Sequence, residues 1–417
     1  MIRGFARYFG VGVLLFASPL AAADDYGDAR ARLVAAYQQQ DYAAMIDAAE
    51  HALLARPAYP AALFNLALAH ALYGDPRAAL RYLDDLLKKG IDFGVDDMDE
   101  FAQVRELDAW ADYHRGVQVL HEPVGEAAVA FSHEDPTFVP EGIAIDGDGA
   151  VWLGSIRKGL VLRDAEVVSD RQGHWSVFGM RLHQDGSLWF ASAAVPQMAQ
   201  VGEDVGKTGL FRLDVQSGEI TRAAILEQHA PEQVLGDLVI AGDLIYATDS
   251  LTGAVYRYDI EADEFAVLAP RATFGSPQGL ALDETGAFLY VADYVGGLFR
   301  ISLADGGIEK LRVGDAVSDY GIDGLYRHGS RLIAVQNGIR PHRIVSFDLD
   351  AKGLAIRRAR VLVANLAEFD EPTLGVVHGE NFFFVANSHW NRFDRDQALP
   401  DGLTGPIVLK VRLQSHP

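Results

Sequence analysis

Between Glu141 and Ser388 a fifteen-residue unit recurs six times, and this repeat limits the possible folds of the 417-residue chain more than any other feature. The copies are EGIAIDGDGAVWLGS from Glu141, FGMRLHQDGSLWFAS from Phe178, LGDLVIAGDLIYATD from Leu235, QGLALDETGAFLYVAD from Gln278 (one residue longer), DGLYRHGSRLIAVQN from Asp323 and LGVVHGENFFFVANS from Leu374. Each has an apolar run, a polar turn containing Gly or Asp, and a second apolar run, which is the pattern of a two-strand hairpin. A third strand follows every hairpin, as in GLVLRD from Gly159 and GLFRIS from Gly297, and a fourth follows most, as in EFAVLA from Glu264. Four strands per unit, repeated radially, predict a mainly β chain built on a six-bladed propeller. The last unit runs out of chain after Leu413, so Ala127 to Phe131, ahead of the first hairpin, is expected to supply its outer strand and close the ring.

The segment before the propeller has a different period. From Asp28 to about Gly90 the chain is rich in Ala and Leu with helical spacing. Asp41-Tyr42 and Gly74-Asp75-Pro76 separate helices 34 residues apart, counted from Asp41 to Asp75. The stretch ALFNLALAHALYGDPRAAL from Ala62 resembles a tetratricopeptide repeat. Two such units and a helix around Glu100 to His114 fall short of the roughly three repeats that stand alone, so this part is expected to lean on the propeller. A helical tetratricopeptide-like domain over 24–115 and a propeller over 116–417 follow. The helical part reads either as a peptide groove or as a docking surface, and so few repeats favour the docking surface.

Arg3 and Arg7 precede an apolar stretch from Phe9 to Phe16, and Ala21-Ala22-Ala23 offers a small-residue cleavage site. Residues 1–23 therefore read as a secretory signal peptide, which predicts a periplasmic or secreted protein with no membrane span after cleavage. The formal charge of −22 argues against nucleic acid as a partner and is compatible with cations. The sequence has no cysteine, so neither disulfides nor thiol chemistry enter.

In a propeller the first residue of every unit reaches the same end of the axis. Those residues are Glu141, Phe178, Leu235, Gln278, Asp323 and Leu374. Three offer oxygen and three are apolar, and each polar one precedes a glycine, read here as leaving room for an axial ligand. Glu141, Gln278 and Asp323 make an oxygen set with no His or Cys, which suits a hard divalent cation, calcium first, with magnesium, manganese or zinc as other occupants. The competing reading pairs Glu141 with a basic side chain and gives Asp323 a turn to cap.

In its propeller half, about Phe131 to Leu413, the chain resembles the gluconolactonase family, with senescence marker protein and luciferin-regenerating enzyme. That family opens its first blade with Glu-Gly, its fourth with Asn-Gly and its fifth with Asp-Gly, and Glu141-Gly142, Gln278-Gly279 and Asp323-Gly324 fall on these positions. The resemblance implies that Glu141 and Asp323 are metal ligands and that Asp323 also orients or deprotonates a water. Two departures stand out: Gln278 replaces Asn, and Leu235 occupies the place of a substrate-binding Asn, with Asp237 two residues on.

Two long loops, Ala193 to Thr208 and His389 to Thr404, are expected on the same face as a lid. Asp237, Asn337, Asn387, His389 and Arg392 are the candidate substrate contacts. An aromatic and a guanidinium in the second loop, which contains Trp390, would suit an anionic or cyclic substrate. The resulting function is an exported metal-dependent hydrolase of lactones or related esters, acting on a small-molecule substrate. The alternative, from another class, is a noncatalytic propeller that binds a periplasmic protein or small molecule, with the helical part as an interaction surface.

Overall fold

The computed structural model describes residues 25–170, 172–227, 232–394 and 397–413, so the expected signal peptide lies outside the described residues. The chain begins with α1 (Asp25–Gln38), α2 (Tyr42–Ala55), α3 (Pro60–Tyr73) and α4 (Pro76–Lys88), followed by α5 (Ala102–Arg105) and α6 (Trp110–Leu120). The 34-residue echo has a local cause. Asp41 accepts from Ala44 N at 3.0 Å to start α2, and Asp75 accepts from Ala78 N at 3.0 Å to start α4. The left-handed Gly74 ends α3. Leu33, Met45, Leu66, Leu83, Phe101 and Val104 form the helical core, and Ile339 of the propeller is buried with them. Among the described residues no helix is long and apolar enough to cross a membrane.

After β1 (Ala128–Ser132), the first blade contains β2 (Pro140–Ile145), β3 (Val151–Ser155), β4 (Leu160–Arg163) and β5 (Glu166–Asp170). The second is β6 (Ser176–Leu182), β7 (Leu188–Ala193), β8 (Thr208–Leu213) and β9 (Ile220–Ile225). The third is β10 (Leu235–Ala241), β11 (Leu244–Asp249), β12 (Ala254–Asp259) and β13 (Glu264–Ala269). The fourth is β14 (Pro277–Leu282), β15 (Phe288–Asp293), β16 (Gly297–Ser302) and β17 (Ile308–Lys310). The fifth is β18 (Ile322–His328), β19 (Arg331–Gln336), β20 (Arg343–Leu349) and β21 (Ile356–Ala364). The sixth joins β22 (Gly375–His378), β23 (Asn381–Val385) and β24 (Ile407–Arg412) to β1.

All six sheets have four antiparallel strands, so the chain is a six-bladed β-propeller preceded by helices. The ring closes as the sequence leads one to expect, with Val129 opposite Leu409 and Ser132 opposite Ile407. Buried apolar residues of neighbouring blades interdigitate, as where Ile143 and Leu153 meet Leu374 and Val385.

The glycines after the polar first positions serve protein packing. A Cβ on Gly142 would lie 2.0 Å from Phe178 O of the next blade, one on Gly279 2.2 Å from Leu325 N of the next blade, and one on Gly324 2.6 Å from the Tyr326 hydroxyl of its own blade. The close approach is to protein at each of the three, which corrects the expectation that these glycines open space for an axial ligand.

The helices dock on the fourth and fifth blades. Arg56 Nη1 donates to Val295 O at 3.4 Å, and the Tyr320 hydroxyl to Pro57 O at 3.0 Å. Asp92 N donates to Arg340 O at 2.9 Å, Lys89 Nζ donates to Asp315 O, and Asn365 Nδ2 donates to Leu120 O at 2.9 Å. These contacts come from the ends of strands that also present Asp323, so the helical segment sits on the same face as the candidate site.

Candidate functional site at the propeller axis

Three blades meet at one hydroxyl. Thr373 Oγ1, one residue before the Leu374 that opens the sixth unit, lies 2.8 Å from Glu141 Oε1 of the first blade and 2.8 Å from Asp323 Oδ2 of the fifth. Glu141 is 6% exposed, and its second oxygen accepts from Trp390 Nε1 at 2.7 Å. Asp323 Oδ2 also accepts from Asn337 Nδ2 at 2.7 Å, and Asn337 Oδ1 accepts from the Tyr294 hydroxyl at 3.1 Å. The partners of Glu141 are thus a hydroxyl and an indole, not a base, and Asp323 faces side chains instead of capping a turn.

Burial, and after it the charge of Asp323, push the Glu141 carboxyl well above the usual carboxylate range, against the bonds from Trp390 and Thr373. Burial raises Asp323 as well, opposed by the bonds from Thr373 and Asn337. A third carboxylate, Glu371, is 8% exposed and is raised to about 7, first by burial and further by the charges of Asp323 and Asp370. Its Oε2 accepts from Asn391 N at 2.6 Å, and its carbonyl accepts from Ser388 Oγ at 2.9 Å. Glu371 adopts a left-handed φ of 62°, an uncommon backbone state for this residue type.

The other sequence candidates occupy distinct places. Gln278 Nε2 donates to Ser276 Oγ at 3.1 Å. Asp237, 1% exposed, pairs with Arg181 at 3.3 Å. Asn387 donates to Gly405 O at 2.9 Å and accepts from Ile407 N at 2.7 Å, holding the start of β24. His389 Nδ1 lies 3.0 Å from Asp370 Oδ2, and its Nε2 2.9 Å from Thr404 O, so both ring nitrogens face oxygen. Arg392 Nε donates to Asp370 Oδ2 at 3.0 Å. Asp249 and Asp293 brace turns, accepting from Thr252 N at 3.1 Å and Gly275 N at 2.9 Å respectively.

The two long loops meet. Arg157 Nη1 donates to Gln197 O at 3.4 Å in one and Gln397 O at 3.1 Å in the other. Met198, Phe393 and Trp390 share an apolar cluster with Phe178, whose ring centroid is 6.4 Å from that of Trp390. Among the described residues no three His, Cys, Asp or Glu side chains converge as a metal-holding group.

Sequence reasoning missed Thr373 and Glu371, and it reached Trp390 only as the aromatic of the second long loop, not as a partner of Glu141. The run Asp370-Glu371-Pro372-Thr373, polar and immediately ahead of the sixth hairpin, was the signal that could have found the first two.

No protein-family model and no curated protein matches the chain. Solved structures do. A Thermus thermophilus protein described as a putative oxidoreductase (glucose dehydrogenase) aligns over 69% of this chain and 99% of its own, at 16% identity and a TM-score of 0.44. A nidogen/laminin complex aligns over 54% of this chain and 80% of that one, at 14% identity and a TM-score of 0.41. Neither likeness carries chemistry to this chain. Fold and site together define the class: a six-bladed propeller with a buried acid pair where its blades converge and a helical segment docked on that face.

Proposed function

We propose that the chain is a hydrolase of lactones or related esters that works with a divalent cation, calcium first, held by Glu141 and Asp323. The shared Thr373 hydroxyl carries this reading. It has one proton to offer two carboxylates, each 2.8 Å away, so the buried pair needs a further proton or a cation to be compatible with burial. The donor chemistry fits a hard cation, since carboxylate and hydroxyl oxygens meet and, among the described residues, neither carboxylate is bonded to a basic side chain. Water would fill the remainder of the shell.

A bound divalent cation would polarise a carbonyl and make a water more acidic. Asp323 Oδ2 is engaged by Asn337 and Thr373, which leaves Oδ1 to orient a water and take its proton. Trp390, held to Glu141 and beside Phe178, supplies an apolar wall for the acyl or ring portion of a substrate. The gluconolactonase-like order of Glu141, Gln278 and Asp323 supports the same reaction class, and the leader-like residues 1–23 support export.

One observation favours the noncatalytic reading. Gln278 is bonded through its amide nitrogen to Ser276 two residues before it, and not to Glu141, Asp323 or Thr373, so it does not share the hydrogen bonds that join the acid pair. The two readings part in a thermal melt with EDTA or added calcium, comparing wild type with Glu141→Ala. A calcium-dependent rise in Tm that Glu141→Ala abolishes supports the cation site and leads to a screen of neutral lactones and aryl esters. Identical melts in both proteins remove the hydrolase and leave a propeller that binds a partner.

A further inference from the structure

We infer that the helical segment is a working part of the axial site and that Tyr294 is the positioning residue through which it acts on Asp323. The inference rests on the cation reading only where cation affinity is measured.

The connection runs through one short loop between β19 and β20, Asn337 to His342, and the first residue of β20, Arg343. Its first residue, Asn337, bonds Asp323. Its second, Gly338, packs on Tyr294, where a Cβ would lie 2.5 Å from the ring and 2.7 Å from the hydroxyl. Its third, Ile339, is buried in the helical core beside residues such as Leu83 and Phe101. Its fourth, Arg340, accepts at its carbonyl from Asp92 N at 2.9 Å. Arg343, which opens β20, donates to Gly90 O at 3.0 Å. Seven consecutive residues therefore have one end on the axial carboxylate and the other in the helices.

Tyr294 sets the orientation of the end that matters. An asparagine amide has one donating and one accepting end. The Tyr294 hydroxyl donates to Oδ1 of Asn337, which turns Nδ2 towards Asp323 Oδ2 at 2.7 Å. Without the hydroxyl, the Asp323 carboxylate alone orients the amide, and Oδ1 of Asn337 loses the donor that anchors its other end. Burial, followed by the charges of Asp323 and Glu371 and then Tyr59, raises the Tyr294 phenol well above its ordinary value, so it remains a donor. Tyr59 belongs to the helical segment and is held there by a ring contact with Tyr320 at 5.0 Å. The Tyr294 backbone is fixed too, with Gly321 N donating to Tyr294 O at 2.9 Å and Gly338 N to Gly321 O at 3.1 Å. Loop, ring and helices thus form one contiguous network in which a change at either end is felt at the other.

The test uses the whole chain without its leader, metal-free first. Two double-mutant cycles compare Tm for Asp323→Asn combined with Tyr294→Phe, and for Asp323→Asn combined with Ile339→Ala. Coupling predicts that each double variant loses less Tm than the sum of its singles. Additivity in the first cycle overturns the role of Tyr294, and additivity in the second overturns that of the helical segment.

Cation affinity is then titrated with calcium alone. Tyr294→Phe is expected to weaken it about tenfold or more, as losses behind a metal ligand do. Tyr290→Phe, which removes a hydroxyl bonded to Gly353 O outside the site, is expected to leave it unchanged. Equal weakening by both variants overturns the specific role of Tyr294. If wild type binds no calcium, the cation reading falls and the cycles alone decide the inference.

Discussion

Arg343 Nη1 donates to Gly90 O at 3.0 Å, joining the fifth blade to the end of α4 across 253 residues of sequence. The same guanidinium donates from Nε to Gln336 Oε1 at 2.8 Å and from Nη2 to Lys89 O at 3.3 Å. It is buried and faces the carbonyls that end a helix, where the negative end of the helix dipole favours a cation. Burial lowers it to about 10, still protonated at neutral pH. The docking of helices on propeller is therefore built around a charge satisfied by backbone oxygens.

Removing that charge should loosen the whole arrangement. Arg343→Met leaves carbonyls and the Gln336 amide oxygen unpaired in a buried place, and an orphaned buried group costs roughly 1–3 kcal/mol. The expected loss is on the order of 3 kcal/mol, with unfolding split into a helical and a propeller transition in calorimetry. Arg343→Lys should recover little, because an ammonium carries its donors on one nitrogen and cannot span the three acceptors that Nε, Nη1 and Nη2 reach separately. A single unshifted transition would show that the docking rests on the other contacts.

Asp237 and Arg181 give a second test. The carboxylate is raised by burial and pulled back by Arg181, and the guanidinium lies 5.2 Å from the Tyr326 ring centroid. Breaking a buried pair by removing one partner costs about 3–5 kcal/mol, because the other charge is left uncompensated. Asp237→Ala should therefore lower the urea midpoint strongly, whereas Asp237→Ala with Arg181→Met should lower it less. A mild effect of the single change together with a lost ligand response would return Asp237 to the list of binding residues.

How far the sequence could be read follows from which forces repeat along it. Hairpins, third strands and the β1 closure were legible because each blade buries the same alternating faces, so the pattern recurs. Glu141 and Asp323 were legible as members of that register. Thr373 and Glu371 were not, because they lie in irregular segments outside it and meet the acid pair only through the curvature of the ring; Trp390 was legible as the aromatic of a long loop but not as a partner of Glu141. Gln278 shows the converse: its register is right, yet its amide nitrogen bonds the local hydroxyl of Ser276 and not the acid pair. The Ile339 contact with the helices leaves no trace at all, since one isoleucine in a loop has no periodicity.

The acid cluster sets the pH response of the metal-free protein. Glu371 is raised from 4.5 to about 7 in the folded chain, so between these values the folded state holds a proton that the unfolded state releases. Stability from this group is complete below about 4.5 and is lost as pH rises through about 7. At about 1.4 kcal/mol per pH unit the loss is on the order of 3 kcal/mol, and Glu141 and Asp323 add in the same direction. Melts in EDTA from pH 5 to 8 should show Tm falling, with a flatter curve for Glu371→Gln. A Tm that rises over that interval would place the three carboxylates outside the control of stability.

Thr373 offers the most discriminating change because shape and hydrogen bonding can be separated there. Thr373→Val keeps the volume and removes the hydroxyl shared by Glu141 and Asp323. The pair then loses the one donor it shares, which favours the ionised form of whichever carboxylate it serves, so the pair should be raised further. The expected destabilisation is roughly 1–3 kcal/mol at pH 8 and less at pH 5, where the pair is closer to neutral. Thr373→Ser retains the hydroxyl and should stay near wild type apart from the lost methyl contact. Melts of the three proteins at both pH values test this directly. Equal losses for Val and Ser at both pH values would mean that the side chain matters for packing alone and that the two carboxylates do not depend on a shared proton donor.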